Sequence, residues 1–166
     1  MKHICATLLL LCYNPAPDID RNFINEITEC ALQTNATLLE QDRIPINLVV
    51  AQSILESDWG RSRFAQQGNN YFGIKAVENE DYILSYSGKK LKAYETQCES
   101  VNDYIHLLSF GEPYKEFKDA LIKQWVVDRI DTFAIIKYLY NYAEDENYQN
   151  KLTTILQQLE RRHYGK

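Results

Sequence analysis

Glu56 is the residue of this chain best placed to do chemistry. It follows the stretch Ile46–Leu55, which is apolar on more than one helical face and is therefore typical of a buried helix. Pro45 is tolerated in the first turn of such a helix and Gly60 suits the left-handed residue that ends one, so Glu56 falls in the last turn. The negative end of the helix dipole and apolar neighbours such as Trp59 both disfavour the carboxylate anion and raise the pKa of Glu56.

A carboxyl group that stays protonated near neutral pH can donate a proton to a leaving-group oxygen, as the acid of a glycosidase must. Most glutamates near a helix end are nevertheless solvated surface groups. The position of Glu56 alone therefore does not decide between a catalyst and a surface charge.

A longer pattern surrounds Glu56 and continues far downstream. Its first part consists of three segments: Ala51-Gln-Ser-Ile-Leu-Glu-Ser-Asp-Trp-Gly60, Ser62-Arg-Phe-Ala65 and Gly68-Asn-Asn-Tyr-Phe-Gly73. Its second part consists of Tyr142-Ala-Glu-Asp145, then Tyr148 and Lys151-Leu152. The pattern resembles the bacterial glucosaminidase family, glycoside hydrolase family 73, and within it the Bax-like and flagellar-rod peptidoglycan hydrolases. The resemblance covers about residues 40 to 160.

This resemblance implies a lysozyme-like fold with a small β-hairpin lobe beside a groove. It also implies an endo-acting β-N-acetylglucosaminidase that hydrolyses the glycan strand of bacterial peptidoglycan, with Glu56 as the general acid and no cofactor. Two alternatives stay open. One is a muramidase or lytic transglycosylase of the same fold, and the other is an inactive peptidoglycan-binding or scaffolding module.

An inverting glycosidase needs a second carboxylate that activates water on the opposite face of the sugar. In the implied fold this group would come from the hairpin lobe, where Glu80 is the candidate and Glu78 or Asp81 are the alternatives. Each of the three is equally consistent with a solvated turn. The 2-acetamido group of the substrate could instead attack the anomeric carbon, which would remove the need for a second acid.

The late motif supplies two tyrosines to the implied site. The resemblance places Tyr142 near Glu56, where its hydroxyl could orient the acetamido group or a water molecule, while its local alternative is packing against Tyr138 or Tyr148. Tyr148 is itself a candidate substrate contact. Asp145 suits a cap of the last helix better than a catalyst.

Three residues of the first motif are further candidates for contact with substrate. Trp59 and Phe72 are expected either to line the site or to belong to the core beneath it. Asn70 could bind substrate, or its side chain could hydrogen-bond neighbouring backbone and stabilise the Gly-Asn-Asn turn.

The composition agrees with a small globular enzyme. The chain has 166 residues of which 45% are hydrophobic, which favours one domain with one core. Its 18 basic and 23 acidic side chains give a formal net charge of −5 without a basic run, so it is a poor candidate for binding nucleic acid or anionic membranes. Recognition of peptidoglycan would therefore be local, and the twelve tyrosines offer faces that sugars can stack on. We expect a monomer.

The N-terminus has features of an export signal. The apolar run Ile4–Cys12 is too short to span a bilayer but suits a signal peptide, although Ala16-Pro17 is unfavourable as a cleavage site. This divides the chain into a signal at residues 1–17 and a glucosaminidase domain at residues 18–166. It predicts an exported protein, periplasmic or secreted.

Cysteine usage bears on the same question. Cys5 and Cys12 lie in the predicted signal, which leaves Cys30 and Cys98 either as one disulfide or as two buried free thiols. No metal site is predicted, because no Cys or His pair has ligand spacing. The histidines are isolated in the sequence: His3, His106 and His163.

Apolar periodicity predicts an α+β domain that is predominantly helical. The predicted elements are a first helix capped by Asp18 or Asp20 and ending before Gln41, the Glu56 helix, a short helix at 61–65, a hairpin of Tyr82–Tyr86 and Leu91–Tyr94, a helix from the Thr96 capping box to Gly111, helices at about 114–123 and 131–140, and a last helix. The residues expected to face the core are Phe23, Ile27, Ala31 and Leu38 or Leu39 early in the chain, then Val101, Tyr104, Ile105 and Leu108, and finally Tyr148, Leu152, Ile155, Leu156 and Leu159.

Overall fold

The computed structural model describes residues 16–143 and 145–164, with side chains from Asp20 to Arg162. Residues 1–15 of the predicted export signal lie outside the described residues, and so does Glu144 of the late motif. The helices and strands are α1 Ala16–Ala36, α2 Ile46–Ser57, α3 Arg63–Gly68, β1 Tyr82–Leu84, β2 Lys90–Lys92, α4 Gln97–Phe110, α5 Lys115–Val126, α6 Thr132–Ile135 and α7 Tyr148–Tyr164. Short 3-10 turns lie at Glu40–Asp42, Glu112–Tyr114 and Ile136–Leu139. The prediction of a predominantly helical α+β domain is confirmed.

Helix α2, which carries Glu56, lies in the middle of the core. Leu48, Val49 and Ala51 have no exposed surface, because α1 and α7 both pack against this helix. A helix that is apolar on several faces is stable only when neighbours cover those faces. The prediction of a buried helix that ends near Glu56 is therefore confirmed.

Helices α1 and α4 pack together and are joined by a disulfide between Cys30 and Cys98, whose Cα atoms are 5.0 Å apart. Of the two outcomes left open by the sequence, the structure has the disulfide. The core positions Phe23, Ile27 and Ala31 are buried as predicted.

The first helix differs from its prediction at both ends. Asp18 and Asp20 lie inside α1, so neither is its N-cap. The helix ends at Ala36, after which Leu38 is partly buried against the core while Leu39 is 67% exposed. The buried side chain of Asn35 fixes the following loop, since its amide donates to the carbonyl of Ile44 at 2.8 Å and accepts from the Ile44 N–H at 3.1 Å.

Capping side chains set the ends of the shorter helices. The hydroxyl of Ser62 accepts the N–H of Ala65 at 3.2 Å, so α3 begins at Arg63 rather than at residue 61. Asp131 caps α6 in the same way instead of being its first residue, and after four residues that helix tightens into a 3-10 turn. The predicted cap of α4 is present, with the hydroxyl of Thr96 accepting the N–H of Glu99.

The hairpin lobe is shorter than predicted but has the predicted antiparallel pairing. Tyr82 pairs with Lys92 and Leu84 with Lys90. The lobe attaches to the loop after α3, where the N–H of Lys92 donates to the carbonyl of Ile74 at 2.9 Å. Within the described part of the chain, no helix is long and apolar enough to cross a membrane.

Candidate active site

Glu56 lies on the last turn of α2, immediately before a sharp change of chain direction. The residues Asp58, Trp59 and Gly60 all have positive φ, at 51°, 59° and 74°. The left-handed residue that ends the helix is thus Asp58, and Gly60 is the third such residue rather than the cap that the sequence predicts. Ser57 supports the turn, because its hydroxyl accepts the N–H of Gly60 at 2.8 Å.

The carboxyl group of Glu56 is half-buried, and its environment favours the protonated form. Burial raises the pKa of Glu56 to about 7, while a hydrogen bond from the hydroxyl of Tyr148 acts in the opposite direction. A carboxyl group with this pKa is partly protonated at neutral pH. The predicted rise in the pKa of Glu56 is thus present, and the group has a proton to donate.

Four tyrosines interact with Glu56. Burial raises the pKa of each, and the charge of Glu56 raises it further, so all four are neutral at physiological pH. Their rings pack on one another, with Tyr142 at 5.9 Å from Tyr148 and at 6.0 Å from both Tyr104 and Tyr114, centroid to centroid. The acid is thus surrounded by neutral hydroxyl groups.

The buried side-chain amide of Gln52 is hydrogen-bonded to two of these tyrosines. Gln52 lies one helical turn before Glu56 and has no exposed surface. The hydroxyl of Tyr104 donates to its Oε1, and its Nε2 donates to the hydroxyl of Tyr148 at 2.6 Å. Since the hydroxyl of Tyr148 donates to Glu56, these contacts form a continuous series that ends on the acid.

The loop after α3 brings bare backbone to the other side of Glu56. Gly73 has φ +66°, and a Cβ added there would lie 3.4 Å from Oε2 of Glu56. Gly73 is exposed, so this backbone is open to solvent beside the carboxyl group. A sugar could therefore approach the acid at this point.

Asn70 and Tyr142 hold that loop in place. Nδ2 of Asn70 donates to the carbonyls of Ile74 and Lys92, both at 2.8 Å, and its Oδ1 accepts the N–H groups of Phe72 and Ile74 at 3.3 and 3.1 Å. The hydroxyl of Tyr142 donates to the carbonyl of Phe72 at 2.7 Å.

The glucosaminidase family model, described as mannosyl-glycoprotein endo-beta-N-acetylglucosaminidase, matches residues 33–161 of this chain. The chain belongs to the glucosaminidase family. Peptidoglycan hydrolase FlgJ of Salmonella typhimurium is 31% identical to it over 137 residues, which span 72% of this chain and 41% of FlgJ. The protein Bax of Escherichia coli is 29% identical over 128 residues, which span 75% of this chain and 47% of Bax.

The fold of the glucosaminidase domain is also found among solved structures. The catalytic domain of the autolysin Auto from Listeria monocytogenes superposes with a TM-score of 0.65 at 24% sequence identity, covering 86% of this chain and 85% of that domain. The chain spans less than half the length of FlgJ and of Bax. The predicted family and its lysozyme-like fold are confirmed, and the domain is a glycoside hydrolase domain of the FlgJ and Bax type.

Two predicted substrate contacts of the glucosaminidase domain lie inside the protein instead. Asn70 is 2% exposed and its hydrogen-bonding capacity is used by the loop, so of the two roles left open for it the structure has turn stabilisation. Phe72 is 1% exposed and stacks on Tyr104 at 4.1 Å, which makes it part of the core. Neither side chain is available to a sugar in this arrangement.

Trp59 and Tyr148 are also held by protein contacts. The ring of Trp59 meets Phe23 edge to face at 6.2 Å, and the guanidinium of Arg162 lies 5.1 Å from its centre, so it packs between α1 and α7 while remaining partly exposed. Tyr148 is 6% exposed and bonded to Glu56 and Gln52, which makes it a partner of the acid.

The predicted second acid lies in an ion-pair cluster of the small lobe. Oε1 of Glu80 is 2.7 Å from Nζ of Lys92, and its Oε2 accepts the N–H of Val77 at 2.9 Å. Pairing with Lys92 holds the pKa of Glu80 below its usual range, and Lys92 also contacts Asp103 at 2.8 Å. Glu56 is not among the groups that shift the pKa of Glu80.

The remaining acids of interest lie on the surface. Glu78 and Asp81 are exposed beside Glu80. Asp145 is not the cap of α7, since its carboxylate accepts the N–H of Asn147 at 2.9 Å and pairs with Lys151. Among the described residues, no group of three His, Cys, Asp or Glu side chains is arranged to hold a metal ion.

Sequence reasoning assigned no role in the site to Gln52, Tyr104 and Gly73. Gln52 had a detectable signal, because it is a polar residue in the predicted buried helix, spaced i, i+4 with Glu56. Tyr104 was predicted to face the core, but its hydroxyl partner could not be inferred. Gly73 ends the Gly68–Gly73 motif, and only the loop geometry reveals what it faces.

Proposed function

We propose that the glucosaminidase domain hydrolyses the glycan strand of bacterial peptidoglycan as an endo-acting β-N-acetylglucosaminidase, with Glu56 as the general acid. The observation that carries this proposal is the half-buried carboxyl group of Glu56, whose pKa is raised to about 7 beside the open backbone of Gly73. Membership of the glucosaminidase family and the relationship to peptidoglycan hydrolase FlgJ support the substrate.

The acid step follows from the surroundings of Glu56. The protonated carboxyl group donates its proton to the glycosidic oxygen as the bond from that oxygen to the anomeric carbon breaks. The carboxylate left behind accepts the hydrogen bond from Tyr148, which stabilises the new charge.

We propose that the 2-acetamido group of the substrate attacks the anomeric carbon, so that Glu80 is not needed to activate a water molecule for this attack. Both carboxylate oxygens of Glu80 already have partners, and its lowered pKa makes it a weaker base. In the substrate-assisted route the acetamido oxygen bonds to the anomeric carbon as the leaving group departs. Water then opens the resulting ring and returns a proton to Glu56, which restores the acid.

The central experiment compares wild type with Glu56→Gln on purified peptidoglycan sacculi. The substitution keeps the shape of the side chain and removes the titrating proton, so we expect a loss of roughly 10²- to 10⁴-fold in rate. Mass spectrometry should find fragments with reducing-end N-acetylglucosamine, released at first as long pieces from internal cleavage. Fragments ending in reducing or anhydro N-acetylmuramic acid would instead identify a muramidase or lytic transglycosylase. An inactive wild type would identify a binding module.

The route of attack has its own test. Substrate assistance produces the β-anomer first, whereas a water activated by a second carboxylate produces the α-anomer, and NMR spectroscopy of fresh products separates the two. We expect the β-anomer, and we expect Glu80→Gln to keep most of the wild-type kcat. An α-anomer product together with an inactive Glu80→Gln variant would assign the second acid to Glu80.

We also propose that the protein acts as a monomer outside the cytoplasm, in the periplasm or beyond the cell, after export by an N-terminal signal. The Cys30–Cys98 disulfide supports an oxidising compartment, and the peptidoglycan substrate lies there as well. Cell fractionation, together with N-terminal sequencing of the exported protein, tests the location and the signal. Light scattering tests the oligomeric state.

A further inference from the structure

Gln52 is placed so that it controls which way the hydroxyl of Tyr148 points. The amide has an oxygen that only accepts and a nitrogen that only donates. The hydroxyl of Tyr104 donates to the oxygen, so the nitrogen is the atom that faces Tyr148, at 2.6 Å. The oxygen of Tyr148 therefore accepts from Gln52, and its single proton is left for Glu56.

Tyr104 keeps the amide in this orientation. It is fully buried on α4, and its ring stacks on Phe72 at 4.1 Å with an angle of 11° between the planes. If the amide of Gln52 were turned over, the hydroxyl of Tyr148 would donate to Gln52, and Glu56 would lose its hydrogen bond. The buried hydroxyl of Tyr104 would then accept from the amide nitrogen and lose the acceptor of its own proton, and this cost opposes the change.

We propose that Gln52 and Tyr104 are positioning residues that aim the hydroxyl of Tyr148 at the carboxyl group of Glu56. No proton needs to move along the series. Its effect is to hold the carboxyl group in one orientation and to stabilise the carboxylate formed after proton donation. This inference rests on the proposed role of Glu56 as the acid.

The other titratable groups that face Glu56 do not obscure this effect. Within the described part of the chain they are tyrosines: Tyr104 from α4, Tyr114 from the 3-10 turn after it, Tyr142 from the segment before α7 and Tyr148 from α7. All have raised pKa values and stay neutral between pH 5 and pH 9. A change in the titration of Glu56 in this range therefore reports on hydrogen bonding and burial.

The test measures the titration of Glu56 directly, by carbon-13 NMR of the side-chain carboxyl group, in wild type, Tyr148→Phe, Gln52→Met and Tyr104→Phe. A hydrogen bond to the charged form lowers a pKa, so Tyr148→Phe should raise the pKa of Glu56 by about one unit. Gln52→Met and Tyr104→Phe should raise it by less. The double variant Gln52→Met/Tyr148→Phe should match Tyr148→Phe alone, because Gln52 acts through Tyr148.

Kinetics supply the second readout. The activity of a general acid falls as pH rises through its pKa, so the same variants should move the basic limb of kcat/KM to higher pH and lower kcat by roughly tenfold. Ser53→Ala is the matched control, because Ser53 is a buried polar residue on the same helix whose hydroxyl donates only to the carbonyl of Val50, at 2.8 Å. It should leave both the titration and the basic limb unchanged.

Two results would overturn the proposal. One is a titration of Glu56 in Tyr104→Phe and Gln52→Met that equals wild type, and the other is a double variant whose shift is the sum of the single shifts. Tyr104→Phe keeps the ring that stacks on Phe72, so the test remains decisive if Gln52→Met fails to fold. If wild type does not cleave sacculi, the proposed function is wrong, and the NMR titration still decides the role of Gln52.

Discussion

At the scale of the residue, Glu56 owes its chemistry to the kind of neighbours it has. A lysine or arginine beside it would favour the carboxylate and remove the proton that the reaction needs. The tyrosines that surround it supply hydrogen bonding and burial without positive charge, and the pKa of Glu56 rises to about 7. The same surroundings make the ionised form of Glu56 destabilising for the fold.

This destabilisation predicts that Glu56→Gln is more stable than wild type at high pH. The pKa of Glu56 is raised from 4.5 to about 7 on folding, so the stability that the protonated form contributes is fully present below pH 4.5 and is lost as pH rises through 7. At pH 8 we expect the variant to be more stable by about 2 kcal/mol, after a discount for the partial exposure of the carboxyl group.

Urea denaturation at pH 4 and at pH 8 measures this difference. The gain should be much smaller at pH 4, where wild type is protonated as well. Glu160→Gln, which changes an exposed glutamate on α7, is the control and should have little effect at either pH. Equal stability of Glu56→Gln and wild type at both values of pH would contradict the raised pKa.

A second prediction at this scale concerns Gly73, whose exposed backbone lies beside the carboxyl group of Glu56. Gly73→Ala places a methyl group 3.4 Å from Oε2 of Glu56 at a backbone φ of +66°, so it should reduce kcat/KM on sacculi by about tenfold or more and stability by about 1 kcal/mol. Gly88→Ala is the matched control, because Gly88 has φ +79° and nothing within 4 Å of an added Cβ. The control should lose similar stability and keep most of its activity. Equal loss of activity in both would mean that backbone strain alone is responsible.

At the scale of the element, apolar spacing was a good guide to the helices and a poor guide to their ends. The buried faces of α1, α4 and α7 follow from residues such as Ile27, Leu108 and Leu152, because a helix in a small domain must cover its apolar face. The ends depend on single side chains such as Ser62 and Asp131. From sequence, each could be either the cap of its helix or a residue inside the helix, and its hydrogen bond shows that it is the cap.

The site followed the same rule. The position of Glu56 near the end of a buried helix could be predicted, because that helix is a local feature of the chain. Asn70 and Phe72 could not be assigned between turn or core and substrate, since their burial depends on Lys92 and Tyr104, which come much later in the sequence. The role of Gln52 depends on two tyrosines that lie 52 and 96 residues away.

The disulfide between α1 and α4 gives a prediction at this scale. It closes a segment of 68 residues, so its removal in Cys30→Ser/Cys98→Ser should lower the free energy of unfolding by up to about 4 kcal/mol, through the greater entropy of the unfolded chain. Neither cysteine contributes to the contacts of Glu56 described above, so kcat at a temperature where the variant is folded should stay close to that of wild type. Thermal unfolding with and without reducing agent measures the effect. A melting temperature that reductant leaves unchanged in wild type would contradict it.

At the scale of the whole molecule, the loop that carries Gly73 is connected to the same helices that surround Glu56. The amide of Asn70 ties the Gly73 loop to the small lobe through Lys92, and Lys92 reaches Asp103 on α4. Tyr142 binds the same loop from the segment before α7. The distance between Glu56 and the opening at Gly73 is therefore set by the packing of α2, α4, α7 and the lobe together.

The net charge of the whole chain predicts how salt affects the reaction. The formal charge is −5, and peptidoglycan carries carboxylate groups on its peptides, so the two repel each other at long range. The screening length falls from about 30 Å at 0.01 M salt to about 8 Å at 0.15 M, and we expect kcat/KM on sacculi to rise by roughly threefold over this range. An uncharged oligomer of N-acetylglucosamine is the matched control and should show little change. A rate on sacculi that falls with salt would contradict this expectation and would indicate that a local cationic surface binds the polymer. Arg63 on α3 and Lys90 on β2 would then be the residues to replace first, because each lies beside an exposed tyrosine.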